Sequence, residues 1–169
     1  MSPDPRGGGS APDWELRPAA PRDVARVLAL YAAEGRDTSA ASVAEAIERD
    51  DACALIAREL ATGALLGFGK THRWELPDGA APAGLYLGGS LVRSTARRRG
   101  IGRALVEARA AWAAQRGEEL FSVCSTDNAA SAAMHRAAGF TQLARNGELH
   151  GVTDGAREGL LWRGPSPRA

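Results

Sequence analysis

The segment Ser90-Leu91-Val92-Arg93-Ser94-Thr95-Ala96-Arg97-Arg98-Arg99-Gly100-Ile101-Gly102-Arg103-Ala104-Leu105 decides the fold. Its first residues close an apolar stretch, Leu85 to Val92, that reads as a strand. Its last residues open a long helix with Ile101, Leu105, Ala108 and Trp112 on one face and a stop near Gly117. Between them lies a basic loop containing glycine. A helix N-terminus presents unpaired N–H groups and the positive end of its dipole. Glycines let a phosphate come close to the backbone, and arginines add charge-assisted bonds. Together these features read as a cradle for a pyrophosphate. The dinucleotide pattern fails because its third glycine would fall at Leu105, and no Gly-Lys-Ser/Thr ending makes a P-loop.

Upstream, Trp14 to Arg17 alternates as a strand, and Pro21 suits the first turn of a helix carrying Val24, Val27, Leu28 and Tyr31 as far as Gly35. Ser39 or Ser42 starts a second helix with Val43, Ala46 and Ile47 inward. Ala52 to Arg58 and Leu65 to Trp74 are strands joined by Ala61-Thr62-Gly63, and Glu75 to Ala83 is a polar loop. Gly88-Gly89 inside the following strand suggests a bulge or a close backbone approach. Downstream come a strand from Leu120 to Ser125, a helix from Ala129 to Ala138 closed by Gly139, and strands at Phe140 to Arg145 and Gly159 to Trp162. The expected architecture is α/β, a mixed sheet of about seven strands with four helices on both faces. Residues 14–163 form the expected domain. The Gly/Pro/Ser-rich residues 1–13 read as a flexible tail, with a linker-like Gly7-Gly8-Gly9-Ser10, and 164–169 as a second tail.

The charge balance, 21 basic against 20 acidic residues, argues against bulk nucleic-acid binding. The dense basic run at Arg97 to Arg99 suits one small polyanion better than a duplex. Two distant cysteines, Cys53 and Cys124, are too few for a disulfide framework and point to a reducing, cytoplasmic setting. No apolar run is long enough to span a membrane. The histidines and cysteines lack ligand spacing, so no metal is expected.

Arg97-x-x-Gly100-x-Gly102 resembles the Arg/Gln-x-x-Gly-x-Gly/Ala motif of the GCN5-related N-acetyltransferases (GNAT), whose loop amides hold the pyrophosphate of acetyl-CoA. A second segment, Asn128-Ala-Ala-Ser131-Ala-Ala-Met134-His135-Arg-Ala-Ala-Gly139-Phe140, resembles that family's Asn-x-x-Ala/Ser-x-x-x-Tyr/His-x-x-x-Gly-Phe stretch. It falls one helix and one strand later, as the family requires. The resemblance covers residues 14 to 163 and implies the GNAT acyl-CoA N-acyltransferase fold. It implies that the fourth and fifth strands part to admit the pantetheine arm, which would bond the backbone of Leu91 and Val92 as a further strand does. An N–H there would face the thioester oxygen, where negative charge builds during attack. Gly88-Gly89 would leave room for the acceptor, or be an ordinary bulge.

On the same resemblance, acetyl-CoA is held by Leu91, Val92, Arg97, Arg98, Arg99, Gly100, Ile101, Gly102, Arg103, Asn128 and Ser131. Asn128 also suits a helix N-cap, and Ser131 also suits packing. His135 stands where many relatives carry a tyrosine that protonates the departing thiolate. The alternative for His135 is a buried structural histidine. A glutamate that some relatives carry is replaced by Val123, and a fourth-strand carboxylate that others carry is replaced by Gly88. The base therefore stays open among a water chain, His72, Glu75, Asp127 and the acidic residues of the Glu34 to Asp37 loop. Cys124 reads as a small buried residue in preference to an acyl carrier, and His150 as solvated or acceptor-facing. The expected reaction is direct transfer of acetyl from acetyl-CoA to a primary amine of a small molecule. A protein or peptide acceptor and a silent acyl-CoA-binding module are the alternatives. Expected partners are acetyl-CoA and the amine, without nucleic acid or membrane; a homodimer is compatible with them.

Overall fold

The computed structural model describes residues 11–146, 149 and 158–165. The Gly7–Ser10 linker, His150 and most of the loop after Asn146 lie outside the described residues. The elements follow the expected order. They are β1 (Trp14–Pro18), a 3-10 turn (Pro21–Asp23), α1 (Val24–Ala33), α2 (Ala40–Glu48), β2 (Ala54–Glu59), β3 (Leu65–Trp74) and β4 (Gly84–Val92). A second 3-10 turn (Ser94–Ala96), α3 (Ile101–Gln115), β5 (Leu120–Ser125), α4 (Ala129–Ala137), β6 (Thr141–Asn146) and β7 (Gly159–Arg163) complete it. The strands form one sheet in the order β1-β2-β3-β4-β5-β7-β6, with only β4 and β5 parallel.

Alternation along β3 assigns the helical layers. The open sides of Gly67 and Gly69 face Ile101, Leu105 and Arg109 of α3. Phe68 meets Tyr31 of α1, and Lys70 donates to Ser42 of α2. Helices α1 and α2 therefore cover one face; α3, against which α4 packs, covers the other. Local chemistry sets the helix ends. Ser39 Oγ accepts the Ser42 N–H and starts α2. At the end of α4 the Phe140 N–H returns to His135 O at 2.9 Å, and this turns the Phe140 ring back onto His135. Before α1, Asp23 is fully buried and takes both guanidinium nitrogens of Arg17 at 2.8 Å.

Helix α3 corrects one expectation. Its buried face is Ile101, Leu105, Val106, Arg109 and Ala113, while Ala108 and Trp112 are only half-buried. The stripe runs straight on from Leu105 to position 109, and the residue there happens to be charged. In α1 the buried residues are Val27, Leu30 and Tyr31, while Val24 and Leu28 of the expected helical spacing are half-buried. Among the described residues no helix is long and apolar enough to cross a membrane.

Candidate active site

The sheet is breached at its centre. Strands β4 and β5 pair only at Leu85↔Leu120 and Tyr86↔Phe121. Beyond Tyr86, Leu87, Gly88, Leu91 and Val92 pair with β3 on one edge, Gly89-Ser90 fall outside that register, and Leu87 to Leu91 open on the other edge into a cleft of about 780 Å³. Its far wall is Ser122 to Ser125 of β5, with Asn128, Ser131, Met134 and His135 from the start and face of α4.

The breach coincides with the glycine bulge. The register between β3 and β4 shifts between Phe68 and Lys70, opposite Gly89-Ser90, and Gly89 has φ +55°, which an L side chain rarely adopts. Two carbonyls are turned to opposite layers. Gly89 O accepts Tyr31 Oη–H at 2.6 Å, and Gly88 O accepts Arg109 Nη1–H at 3.2 Å. Arg109 is fully buried and also donates to Lys70 O at 2.7 Å, Ser90 Oγ at 2.8 Å and Leu105 O at 2.8 Å. Burial pushes its guanidinium down to about 10, so it remains a cation at neutral pH, beneath the bulge. Neither Tyr31 nor Arg109 was assigned to the site from sequence. A buried tyrosine hydroxyl that must find an acceptor was the available signal for Tyr31.

Of the residues expected to act, Leu91, Asn128, Ser131 and His135 line the cleft. Asn128 Oδ1 caps α4 by accepting the Ser131 N–H at 3.0 Å. His135 is buried, stacked on Trp162 at 5.6 Å, with Nδ1 3.4 Å from Ser131 Oγ. Burial pushes its pKa down to about 4, so the ring is neutral at pH 7. Such a ring offers an N–H to a neighbour but carries almost no imidazolium.

Val92 and the loop from Arg97 to Arg103 lie just beyond the cleft lining. A Cβ at Gly102 would stand 3.3 Å from Met134 Sδ, a cleft residue, and 3.7 Å from Val92 Cγ2. The loop thus meets the cleft at its Met134 end. Its first helical amide to find a carbonyl is Ala104, on Gly100 O at 3.0 Å. The amides of Ile101, Gly102 and Arg103 precede it, at the positive end of α3. The Ile101 side chain is core, so its contribution to any ligand is its amide. Several of the arginines are partly engaged. Arg97 contacts Glu34 at 3.3 Å, Arg99 pairs with Asp13 and Glu59, and Arg103 pairs with Glu107 one turn on. Arg98 is exposed, with φ +61°.

The candidate bases separate. His72, Asp37 and Asp127 line the cleft. Glu75 lines a neighbouring compartment of about 440 Å³. Glu34 accepts from the Ser94 N–H and Oγ–H, and the backbone bond holds its carboxyl below the usual range. Cys124 accepts a bond from Trp162 Nε1 at 3.3 Å in the core, as expected of a small buried residue. Among the described residues no cluster of His, Cys, Asp or Glu is placed to hold a metal ion.

Solved structures with this fold include three from bacteria. The ribosomal-protein-alanine N-acetyltransferase from Brucella melitensis is 24% identical, with TM-score 0.70 over 88% of this chain and 98% of that one. An N-acetyltransferase from Staphylococcus aureus is 19% identical, with TM-score 0.71 over 92% and 99%. A phosphinothricin acetyltransferase from Sinorhizobium meliloti, in complex with acetyl-CoA, is 19% identical, with TM-score 0.71 over 91% and 89%. No curated protein matches the sequence. The profile of one sequence family matches residues 22–140, a span that takes in both the glycine turn and the Asn128–Phe140 stretch. The chain belongs to the acetyltransferase (GNAT) family, whose members are acetyl-CoA-dependent N-acetyltransferases.

Proposed function

We propose that the protein transfers acetyl from acetyl-CoA to a primary amine of a small molecule, by direct attack while both are bound. The observation that carries this is the edge of β4 left unpaired by β5, whose Leu87 to Leu91 line a cleft and which leads through Val92 into the basic turn. A pantetheine arm laid along that edge would exchange backbone hydrogen bonds as a strand does. The amides of Ile101, Gly102 and Arg103 would take the pyrophosphate, with Arg97 and Arg98 adding charge. Asn128 and Ser131 would meet the arm from the α4 side. A β4 N–H at the breach would stabilise the oxyanion of the tetrahedral intermediate.

His135 keeps a role at the leaving sulfur, through the N–H of a neutral ring. The uncharged imidazole can donate a hydrogen bond to the thiolate without first acquiring a proton. Cys124 stays outside the chemistry.

A small acceptor is favoured by the shape of the space opposite the β4 edge. Tyr31, Asp37, Thr38, His72 and Trp74 line it. The adjoining compartment has the size of a small-molecule site. A peptide acceptor has one supporting observation, Leu76, which is 75% exposed on the loop beside that compartment. The test is thiol release from acetyl-CoA with a panel of small amines and of peptides. Turnover of amino-acid-like or antibiotic amines is expected. Turnover of peptides alone would reverse the assignment, and tight acetyl-CoA binding with no turnover would make the protein a silent acyl-CoA binder.

A further inference from the structure

Gly88 leaves a gap in β4 that is already occupied from the neighbouring strand. A Cβ at Gly88 would stand 2.4 Å from His72 Nδ1 and 2.9 Å from His72 Cε1, so no side chain fits at 88 while the His72 ring is in place. Two aromatic contacts hold the ring there. It stacks on Tyr86, its partner in the β3–β4 register, at 6.1 Å, and meets Trp74 edge-on at 5.3 Å. Among the described residues, His72, Trp74, Gly88 and Gly89 line both the cleft and the 440 Å³ compartment. The imidazole therefore stands at the junction between the space along the open β4 edge and the space an acceptor would fill.

We infer that His72 is the catalytic base, accepting the proton that the acceptor ammonium must lose before it attacks. This role exists only if acetyl transfer to an amine is the reaction. Its chemistry closes as follows. R–NH₃⁺ gives one proton to the neutral imidazole. The freed lone pair forms the C–N bond at the thioester carbon, the C–S bond breaks, and the sulfur leaves with the bond electrons. The second ammonium proton passes to that sulfur, so the products are the amide and CoA–SH. The imidazolium then returns its proton to solvent.

The surroundings suit a cationic acceptor. Asp37 and Asp127 share the cleft with His72, and Glu75 lines the second compartment; Glu45 and Asp51 line it too but are engaged by Arg49. The cations there are Arg36, Arg49, Lys70 and Arg73. Arg49 is paired with Asp51 and Glu45, Arg73 with Glu118, and Lys70 is turned to Ser42. Burial lowers the pKa of Lys70.

The experiment uses the full chain, acetyl-CoA and the best amine of the panel, with kcat/KM measured from pH 5.5 to 9. His72→Gln should lower kcat/KM by about 10²-fold or more near neutrality, the scale of general-base catalysis. The deficit should narrow at high pH, where the amine deprotonates unaided. Acetyl-CoA affinity by calorimetry should be unchanged. A second pair of variants covers a folding defect. His72→Gly should be slow, and His72→Gly with Gly88→Glu, which sends a carboxylate into the vacated space, should recover at least tenfold over it. His72→Gln within threefold of wild type across the range, or a double variant no better than His72→Gly, overturns the assignment while leaving acetyl transfer standing. A wild-type protein that binds acetyl-CoA yet acetylates no amine removes both.

Discussion

Replacing Gly69 by alanine should cost the fold about 3 kcal/mol, an unusual loss for the smallest of additions. The new Cβ would stand 2.7 Å from Arg109 Cζ, 2.9 Å from Nη2 and 3.0 Å from Nη1. Ordinary carbon contacts lie near 3.5 Å or more, so the guanidinium must retreat by roughly 0.8 Å. The end of an arginine normally swings away at little cost. Here it is fully buried and held by Lys70 O at 2.7 Å, Ser90 Oγ at 2.8 Å and Leu105 O at 2.8 Å. A retreat of that size stretches two charge-assisted bonds beyond useful length, each contributing about 1.5–3 kcal/mol. Partial backbone relaxation, and about 0.5 kcal/mol from a stiffer unfolded chain, bring the net to about 3 kcal/mol. Thermal melting should fall by about 6–12 °C for a domain of this size. The assay is urea and thermal denaturation of Gly69→Ala in two backgrounds, wild type and Arg109→Met. In the second background the collision is gone, and the same alanine should cost under about 1 kcal/mol, a coupling of about 2 kcal/mol. Equal costs in both backgrounds would refute the idea that Arg109 is pinned.

Three further outcomes are expected. Gly102→Glu should abolish acetyl-CoA binding in calorimetry, since a bulky carboxylate would crowd Met134 and Val92 and put negative charge at the start of α3; retained affinity would move the pyrophosphate elsewhere. Stability should fall as pH drops from about 6.5 towards about 4, because the unfolded chain protonates His135 before the folded one does; the loss is about 3 kcal/mol in total. The contribution from Asp23, whose carboxyl the Arg17 bond holds below the usual range, is lost only below that window. Urea midpoints at pH 7 and 4.5 should therefore converge in His135→Phe, which keeps a ring against Trp162, and equal pH slopes in the two proteins would contradict this. The same variant should turn over about tenfold more slowly with acetyl-CoA affinity intact, the hydrogen bond to the leaving sulfur being worth roughly 1.4 kcal/mol; an unaltered rate would make His135 structural.

The order of elements was legible because glycine and proline punctuate it. Pro21, Gly35, Gly117 and Gly139 mark ends that the structure keeps. The bulge was legible as paired glycines, and the phosphate turn as glycines among arginines ahead of an apolar stripe. The cation beneath the bulge was not. Arg109 sits one turn past Leu105 on the buried face, yet its charge made the stripe look as though it swung to Ala108 and Trp112. Apart from Leu105 O on its own helix, its acceptors come from β3 and β4, some 20 to 40 residues away in sequence, and no local pattern announces them. The position of His72 over Gly88 was hidden for a related reason. It depends on the register between two strands across a bulge, which residue types alone do not fix. Gly88 could be read as a missing carboxylate, but not as the space for a ring from next door.

The two rungs at Leu85↔Leu120 and Tyr86↔Phe121 also have a mechanical meaning. They make the sheet a pair of half-sheets, β1 to β4 and β5 with β7 and β6, stitched at one corner and wedged apart along the remainder. An arm lying in the wedge and bonded to β4 would supply rungs that the chain itself lacks. The core that backs this seam, Leu87 on one side with Cys124 and Trp162 on the other, is then the flexure on which the wedge angle turns. A side chain trimmed there would change how well the jaws fit their cargo without touching it.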